Sequence, residues 1–253
     1  MITSRWKKCL SLIIFFIAHV GTLQAASNDW DDYAYLLSTY VKPGKINGVD
    51  LSVVDYAGIK QDERFKRVAK QFAAADLSQL VSEQEKLAFY INAYNFFAIK
   101  MVTDHWPVKS IRDIGSFFFP VWKKDVGMLA GKPTTLHIIE HEILRKMGEP
   151  RIHFAIVCAS VSCPDLLNEP YRATRLEQQL NQQTILFLSN KNKGVHIARG
   201  EIRVSKIFDW FEEDFEQAGG IEGFVRQYQP NLPDHLEMEA SLDYDWQVNA
   251  ARF

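Results

Sequence analysis

The chain has 253 residues, 47% of them hydrophobic, and a formal net charge of -2, so it can bury a full core in one large domain. Its basic residues are scattered, and no run of them would track phosphates, which argues against nucleic acid or an anionic membrane as partner. The chain has three cysteines, Cys9, Cys158 and Cys163.

Arg5, Lys7 and Lys8 precede an apolar run from Cys9 to Val20, and small residues follow through Ala26. A positive region, a short apolar stretch and a small-residue zone make an export signal, cut here after Ala25. The run is about half of the roughly 20 residues a spanning helix needs. A retained anchor is the alternative. Cys9 would leave with the signal, and a periplasmic or secreted mature protein is expected, with no membrane contact after cleavage.

Residues 28–41 carry Trp30, Tyr33, Leu36, Leu37 and Tyr40 at helical spacing, with Ser27, Asn28 and Asp29 as possible caps. Pro43, Gly44, Asn47 and Gly48 break the pattern, and a second helix is expected near 61–75. Ser78 and Ser82 mark further helix starts, and Ser82 with Glu85 has capping-box spacing. The helix that follows, 83–104, is apolar nearly all round and therefore central and buried. Asn92 and Asn95 share one of its faces. They either tie down neighbouring backbone or line a site, orienting a catalytic group or an oxyanion.

His105, Trp106 and Pro107 stop this helix, and Phe117 to Trp122 form an aromatic cluster suited to a core. Residues 126–135 read as a hairpin around Gly131, and Thr134 or Thr135 can cap a helix reaching Lys146. Residues 152–158 are apolar and partly β-branched, so they read as a buried strand ending in the small, polar, thiol-bearing turn before Pro164. An amphipathic helix over 174–190, a hairpin over 194–205 turning near Arg199 and Gly200, and helices from Phe208 to Phe215 and from Ile221 to Tyr228 follow. From Leu236 to Val248 apolar and polar residues alternate, the pattern of a one-sided strand. The sum is α+β: several helices around a long buried central helix, on a mainly antiparallel sheet.

Three chemistries compete. His137, Glu140 and His141 have the spacing of inverted zinc peptidases, in which the histidines ligate zinc and the glutamate activates water; a third ligand would have to come from Glu212, Glu213 or Glu216. A thiol nucleophile needs a base and an orienting group, and Cys158 or Cys163, His141 or His153, and Asn92, Asn95, Glu140 or Asp165 supply candidates. In a regular strand His153 and Cys158 would point to opposite faces, which favours His141 as the partner of Cys158. A disulfide is the third. Five residues of extended chain span about 16 Å, whereas a bridge needs Cα atoms about 4.4–6.8 Å apart, so Ala159 to Ser162 would have to fold back tightly.

Several spaced motifs in order resemble the DUF547 family. They are Phe89 to Asn95, Ile139 to His141 with Leu144 and Arg145, Arg151 to Ala155, and Cys158 to Pro164. Ser205 to Phe208, Trp210, Asp214, Phe215 and Tyr244 to Trp246 continue the series, and Val49, Asp50, Asp55 and Tyr56 resemble an upstream segment. The resemblance runs over about 80–215. It implies a family of unknown function, found as secreted bacterial proteins and as domains of larger eukaryotic ones. It places Asn92, Asn95, Glu140, His141, His153, Cys158 and Cys163 on characteristic positions, but not His137, which weakens the zinc reading. Family members in reducing compartments carry the same cysteine pair, which weakens a purely structural disulfide.

The organisation expected is an export signal over 1–25, a helical extension over 26–79, the family core over 80–215, and 216–253 completing the same domain. The function expected is a thiol-dependent hydrolase or acyl transferase acting on a small molecule or peptide, with no cofactor. Cys158 would be the nucleophile, His141 or His153 the base, and Asn92 or Asn95 the orienter. A non-catalytic ligand- or peptide-binding envelope protein is the alternative.

Overall fold

The structure, a computed structural model, describes residues 30–116, 120–198 and 200–251. The expected export signal, the expected caps at Ser27, Asn28 and Asp29, part of the aromatic cluster at Phe117, and Arg199 lie outside the described residues. No helix among the described residues is long and apolar enough to cross a membrane.

Helix α1 (Asp31–Tyr40) buries Tyr33, Leu36 and Leu37. Strands β1 (Val41–Ile46) and β2 (Val49–Val54) then form a hairpin where the sequence suggested only a break. Its two-residue turn puts Asn47 and Gly48 at φ of 51° and 81°, the left-handed geometry that asparagine and glycine tolerate. β1 pairs on one side only, which is where a proline such as Pro43 can sit in a sheet. Helices α2 (Tyr56–Gln61) and α3 (Glu63–Ala73) follow, capped by Asp55 and Asp62.

Helix α4 (Glu83–Asp104) begins on the expected capping box. Ser82 accepts from the Glu85 amide at 3.2 Å, and Glu85 accepts from the Ser82 amide at 2.8 Å. Nearly every residue from Leu87 to Thr103 is buried, and the larger core cluster is built round this helix. Strands β3 (Asp125–Leu129) and β4 (Lys132–Thr135) make the hairpin expected around Gly131. The next helix is capped by Thr135, whose hydroxyl accepts from the Ile138 amide at 3.1 Å, but it is wound as a π-helix over Ile138–Leu144.

Two strand expectations fail because neither segment runs along a single neighbouring strand for its length. Residues 152–158 are buried, as their composition requires, yet Pro150–Phe154 is a 3-10 helix led by Glu149 as N-cap and Pro150. The C-terminal alternation yields a strand only at β7 (Met238–Glu239); the rest is laced to several elements by isolated bridges at Gln247, Val248 and Ala250. Between these lie α5 (Leu176–Ser189), the hairpin β5 (Val195–Ala198) and β6 (Glu201–Val204), α6 (Ile207–Trp210), α7 (Glu212–Phe215) and α8 (Gly220–Tyr228). β7 adds in parallel to β6. The class is α+β, with small, mostly antiparallel sheets in place of one continuous sheet. A second cluster, rich in phenylalanine (Phe154, Phe187, Phe208, Phe215 and Phe224), packs α5 to α8 together.

Candidate functional site

A cavity of about 320 Å³ opens where α4, the π-helix, the cysteine loop, α6 and the C-terminal segment meet. Tyr94 is its wall on α4; Glu140, His141, His153, Cys158 and Cys163 contribute the groups the sequence singled out. Trp122, Trp210, Phe211, Tyr244 and Trp246 close it with rings. Trp210 stacks on Trp246 with ring centroids 5.5 Å apart, Tyr244 lies 4.5 Å from Trp246, and the Arg112 guanidinium sits 4.9 Å over Trp246.

The π-helix aims the polar groups. Its wide turn, closed by the Arg145 amide on the Glu140 carbonyl, presents adjacent residues in directions an α-helix would not. Glu140 is buried and accepts from the Tyr94 hydroxyl at 3.1 Å. Burial raises its carboxyl to about 7, against the lowering effect of that hydrogen bond and of Arg145. His141 is half-buried, and Arg145 Nη1 donates to its Nδ1 at 3.1 Å. Desolvation, with His137 and Arg145 nearby, lowers His141 to about 4. At neutral pH it is therefore the neutral tautomer, with Nε2 free to donate.

His153 sits deeper. Its Nε2 donates to Asp214 Oδ2 at 2.6 Å, and its ring stacks on Phe211 at 4.2 Å. Arg145 grips the same carboxylate in bidentate fashion, at 2.6 Å through Nε and 2.8 Å through Nη2. Burial works to raise the Asp214 carboxyl, but the hydrogen bonds from His153 and Arg145 outweigh it and hold the group well below its usual range. Because Arg145 already balances that charge, desolvation keeps His153 neutral.

Cys158 and Cys163 are joined in a disulfide with Cα atoms 6.1 Å apart, so the loop makes the tight fold-back that a bridge needs. Ala159 enters it at a positive φ of 61°. The Cys158 amide donates to Cys163 Sγ at 2.9 Å, and the Tyr244 hydroxyl lies 3.3 Å from Cys158 Sγ and 3.2 Å from Cys163 Sγ. Ser160 Oγ is 3.0 Å from Cys158 Sγ. Among the described residues no histidine is hydrogen-bonded to either sulfur. With the bridge closed, neither cysteine is a nucleophile. The strand argument that set His153 and Cys158 on opposite faces lapses with the strand, and both line the cavity.

Asn92 and Asn95 stand apart from the cavity and clip backbone. Asn92 bonds the Tyr171 carbonyl and amide, each at 2.8 Å; Asn95 bonds the Ala155 carbonyl and the Val157 amide, each at 2.9 Å. Their amides are used up there and offer nothing to an oxyanion. They position instead, since Asn95 holds the two residues flanking Ile156, just ahead of Cys158. Asp165 is turned away too, receiving the buried Lys193 ammonium at 2.9 Å and the Ser52 amide at 2.6 Å. The zinc reading does not fit these side chains. The His137 and His141 rings lie tilted with centroids 4.6 Å apart, but Nδ1 of His141 takes Arg145, Glu140 faces Tyr94, and no group of three ligating side chains converges among the described residues.

Arg145, Asp214, Tyr94, Phe211, Tyr244 and Trp246 belong to the site without having been singled out as functional. Two signals were present: all of these but Phe211 fall within the motifs that carry the family resemblance, and the period-two alternation sets Tyr244 and Trp246 on one face, with both facing the cavity. Residues 77–188 match the sequence model of the family described as "Protein of unknown function, DUF547". The match supports the family resemblance over α4, the π-helix, the cysteine loop and most of α5, and stops short of Trp210, Asp214 and Tyr244. Comparison with curated proteins finds no match, and comparison with solved structures finds none.

Proposed function

We propose that this protein binds a small ligand in the aromatic cavity, one with a flat apolar body and a polar head. The observation that carries this reading is the side-by-side placement of stacked Trp210 and Trp246 with the neutral donor His141 and the proton-sharing carboxyl Glu140. A space of about 320 Å³ suits a small organic molecule. Rings supply contact area at little entropy cost, and two polar groups orient the head. The disulfide and the export-signal pattern support a periplasmic or secreted location, where thiols oxidise.

A titration with anilinonaphthalene sulfonate, a flat apolar probe with one charged group, tests this. Saturable one-to-one binding is expected, weakened about tenfold by Trp210→Ala, the loss of one aromatic contact of about 1.4 kcal/mol. Trp210 is 44% exposed, so its loss should spare the fold. Binding that never saturates, or that ignores the substitution, would rule the cavity out.

A second reading keeps the thiol-dependent hydrolase or acyl transferase. What favours it is that Cys158 Sγ lies in the cavity wall between Ser160 Oγ and the Tyr244 hydroxyl. It requires an open bridge. Hydrolysis of a phenyl thioester that appears only after reduction and vanishes in Cys158→Ala would establish it; no hydrolysis in either redox state would retire it.

A further inference from the structure

The geometry points to the Cys158–Cys163 bridge as a thiol–disulfide exchange site that accepts electrons from small thiols entering the cavity. Three observations support this, none of them resting on the ligand reading above.

The first is access. Cys158 is only partly buried on the cavity wall, while Cys163 is 3% exposed behind it, so an incoming thiolate meets Cys158 first. The second is the leaving group. Cys163 Sγ already receives the Cys158 amide at 2.9 Å and the Tyr244 hydroxyl at 3.2 Å, two donors that stabilise a sulfur anion better than a bridged sulfur. The third is that the loop keeps its shape by other means. The amides of Val161 and Ser162 donate to the carbonyls of Gln247 and Asp245 at 2.8 and 3.2 Å, and the Asn249 amide to the Ala159 carbonyl at 3.1 Å. The Asp245 amide donates to Ser162 Oγ at 2.8 Å, and buried Lys193 holds the Cys163 carbonyl at 3.0 Å. A bridge spanning a separation of five residues removes little chain entropy, so opening it leaves the loop in place.

The exchange balances as follows. A small thiolate attacks Cys158 Sγ and forms a mixed disulfide with it. The bond between the two protein sulfurs breaks, and its electron pair leaves on Cys163 Sγ, met there by the Cys158 amide and the Tyr244 hydroxyl. A second thiolate attacks the small molecule's own sulfur in the mixed disulfide, releasing the oxidised dimer and a Cys158 thiolate beside Ser160 Oγ and Tyr244. Two thiols become one disulfide, and the protein bridge takes up two electrons and two protons.

The test runs the exchange on the full oxidised chain with reduced glutathione and no denaturant, then quenches with acid, unfolds the chain, alkylates it at neutral pH and reads its mass. Both cysteines should become alkylated, and Tyr244→Phe should slow this about tenfold by removing one leaving-group donor. Oxidised glutathione should add to Cys158 in Cys163→Ser at least about tenfold faster than to Cys163 in Cys158→Ser. Far-UV circular dichroism confirms that each variant is folded. Reduction only in denaturant, equal adduct rates in the two serine variants, or an unchanged rate in Tyr244→Phe would each overturn the assignment.

Discussion

Glu140 and His141 are neighbours in sequence and opposites in titration. The Glu140 carboxyl is raised from 4.5 to about 7 by burial, so between those values the unfolded chain sheds its proton first and the fold loses stability as pH rises. That loss is on the order of 3 kcal/mol once complete above pH 7. His141 is lowered from 6.5 to about 4, so the unfolded chain takes up its proton first and stability is lost as pH falls through that window. The two slopes oppose each other. Glu140→Gln keeps an acceptor for Tyr94 and removes one slope, so urea denaturation should show the variant gaining on the parent from pH 5 to pH 8; parallel curves would mean Glu140 titrates normally. Asp214 carries the same sign as His141 and the opposite of Glu140. Its depressed carboxyl contributes stability above its ordinary value of 3.8 that is lost as pH falls below it. Asp214→Asn should cost on the order of 2 kcal/mol at neutral pH, because it leaves the partly buried Arg145 guanidinium without its counter-charge, and should flatten the acid limb of the stability curve.

At the scale of elements, the π-helix and the asparagine clips are the devices that build the cavity. Asn95 replaces a strand neighbour for residues 155–157, satisfying one amide and one carbonyl that burial would otherwise leave unpaired. Asn95→Ala should therefore destabilise the chain by about 2–4 kcal/mol, two lost buried hydrogen bonds, as read by thermal or chemical unfolding. It should also speed alkylation at Cys158 after reduction, since the loop's approach is no longer held. A cost below about 1 kcal/mol would mean that water replaces the clip.

For the whole molecule, two ties join the cysteine loop to distant parts of the chain. One is the C-terminal segment and the other is Lys193, fully buried against Asp165. Removing the bridge with Cys158→Ala and Cys163→Ala together should cost only on the order of 2 kcal/mol, the chain-entropy worth of so short a loop. Lys193→Met should cost about 3–5 kcal/mol by leaving Asp165 buried without its partner. Unfolding midpoints in the reverse order would show that the disulfide, and not the lacing, holds the loop.

Local chemistry determined what the sequence alone could reveal. The capping box at Ser82, the apolar girth of α4 and the hairpin around Gly131 each depend on residues within a few positions of one another. The adjacency of Glu140 and His141 and the closeness of Cys158 and Cys163 are local in the same way, whereas their meeting with His153 in one cavity is tertiary. Only the tertiary structure decided the rest. An apolar run such as 152–158 specifies burial without specifying a partner strand, and the backbone bonds went to Asn95 and 3-10 turns instead. The alternation at Tyr244 and Trp246 specified a face without saying what it faces. Arg145 and Asp214 are 69 residues apart, and no local pattern announces a pair that forms only when α7 packs beside the π-helix. Hydrophobic patterning is written in the neighbouring residues; polar pairing is settled by which distant groups burial leaves unpaired.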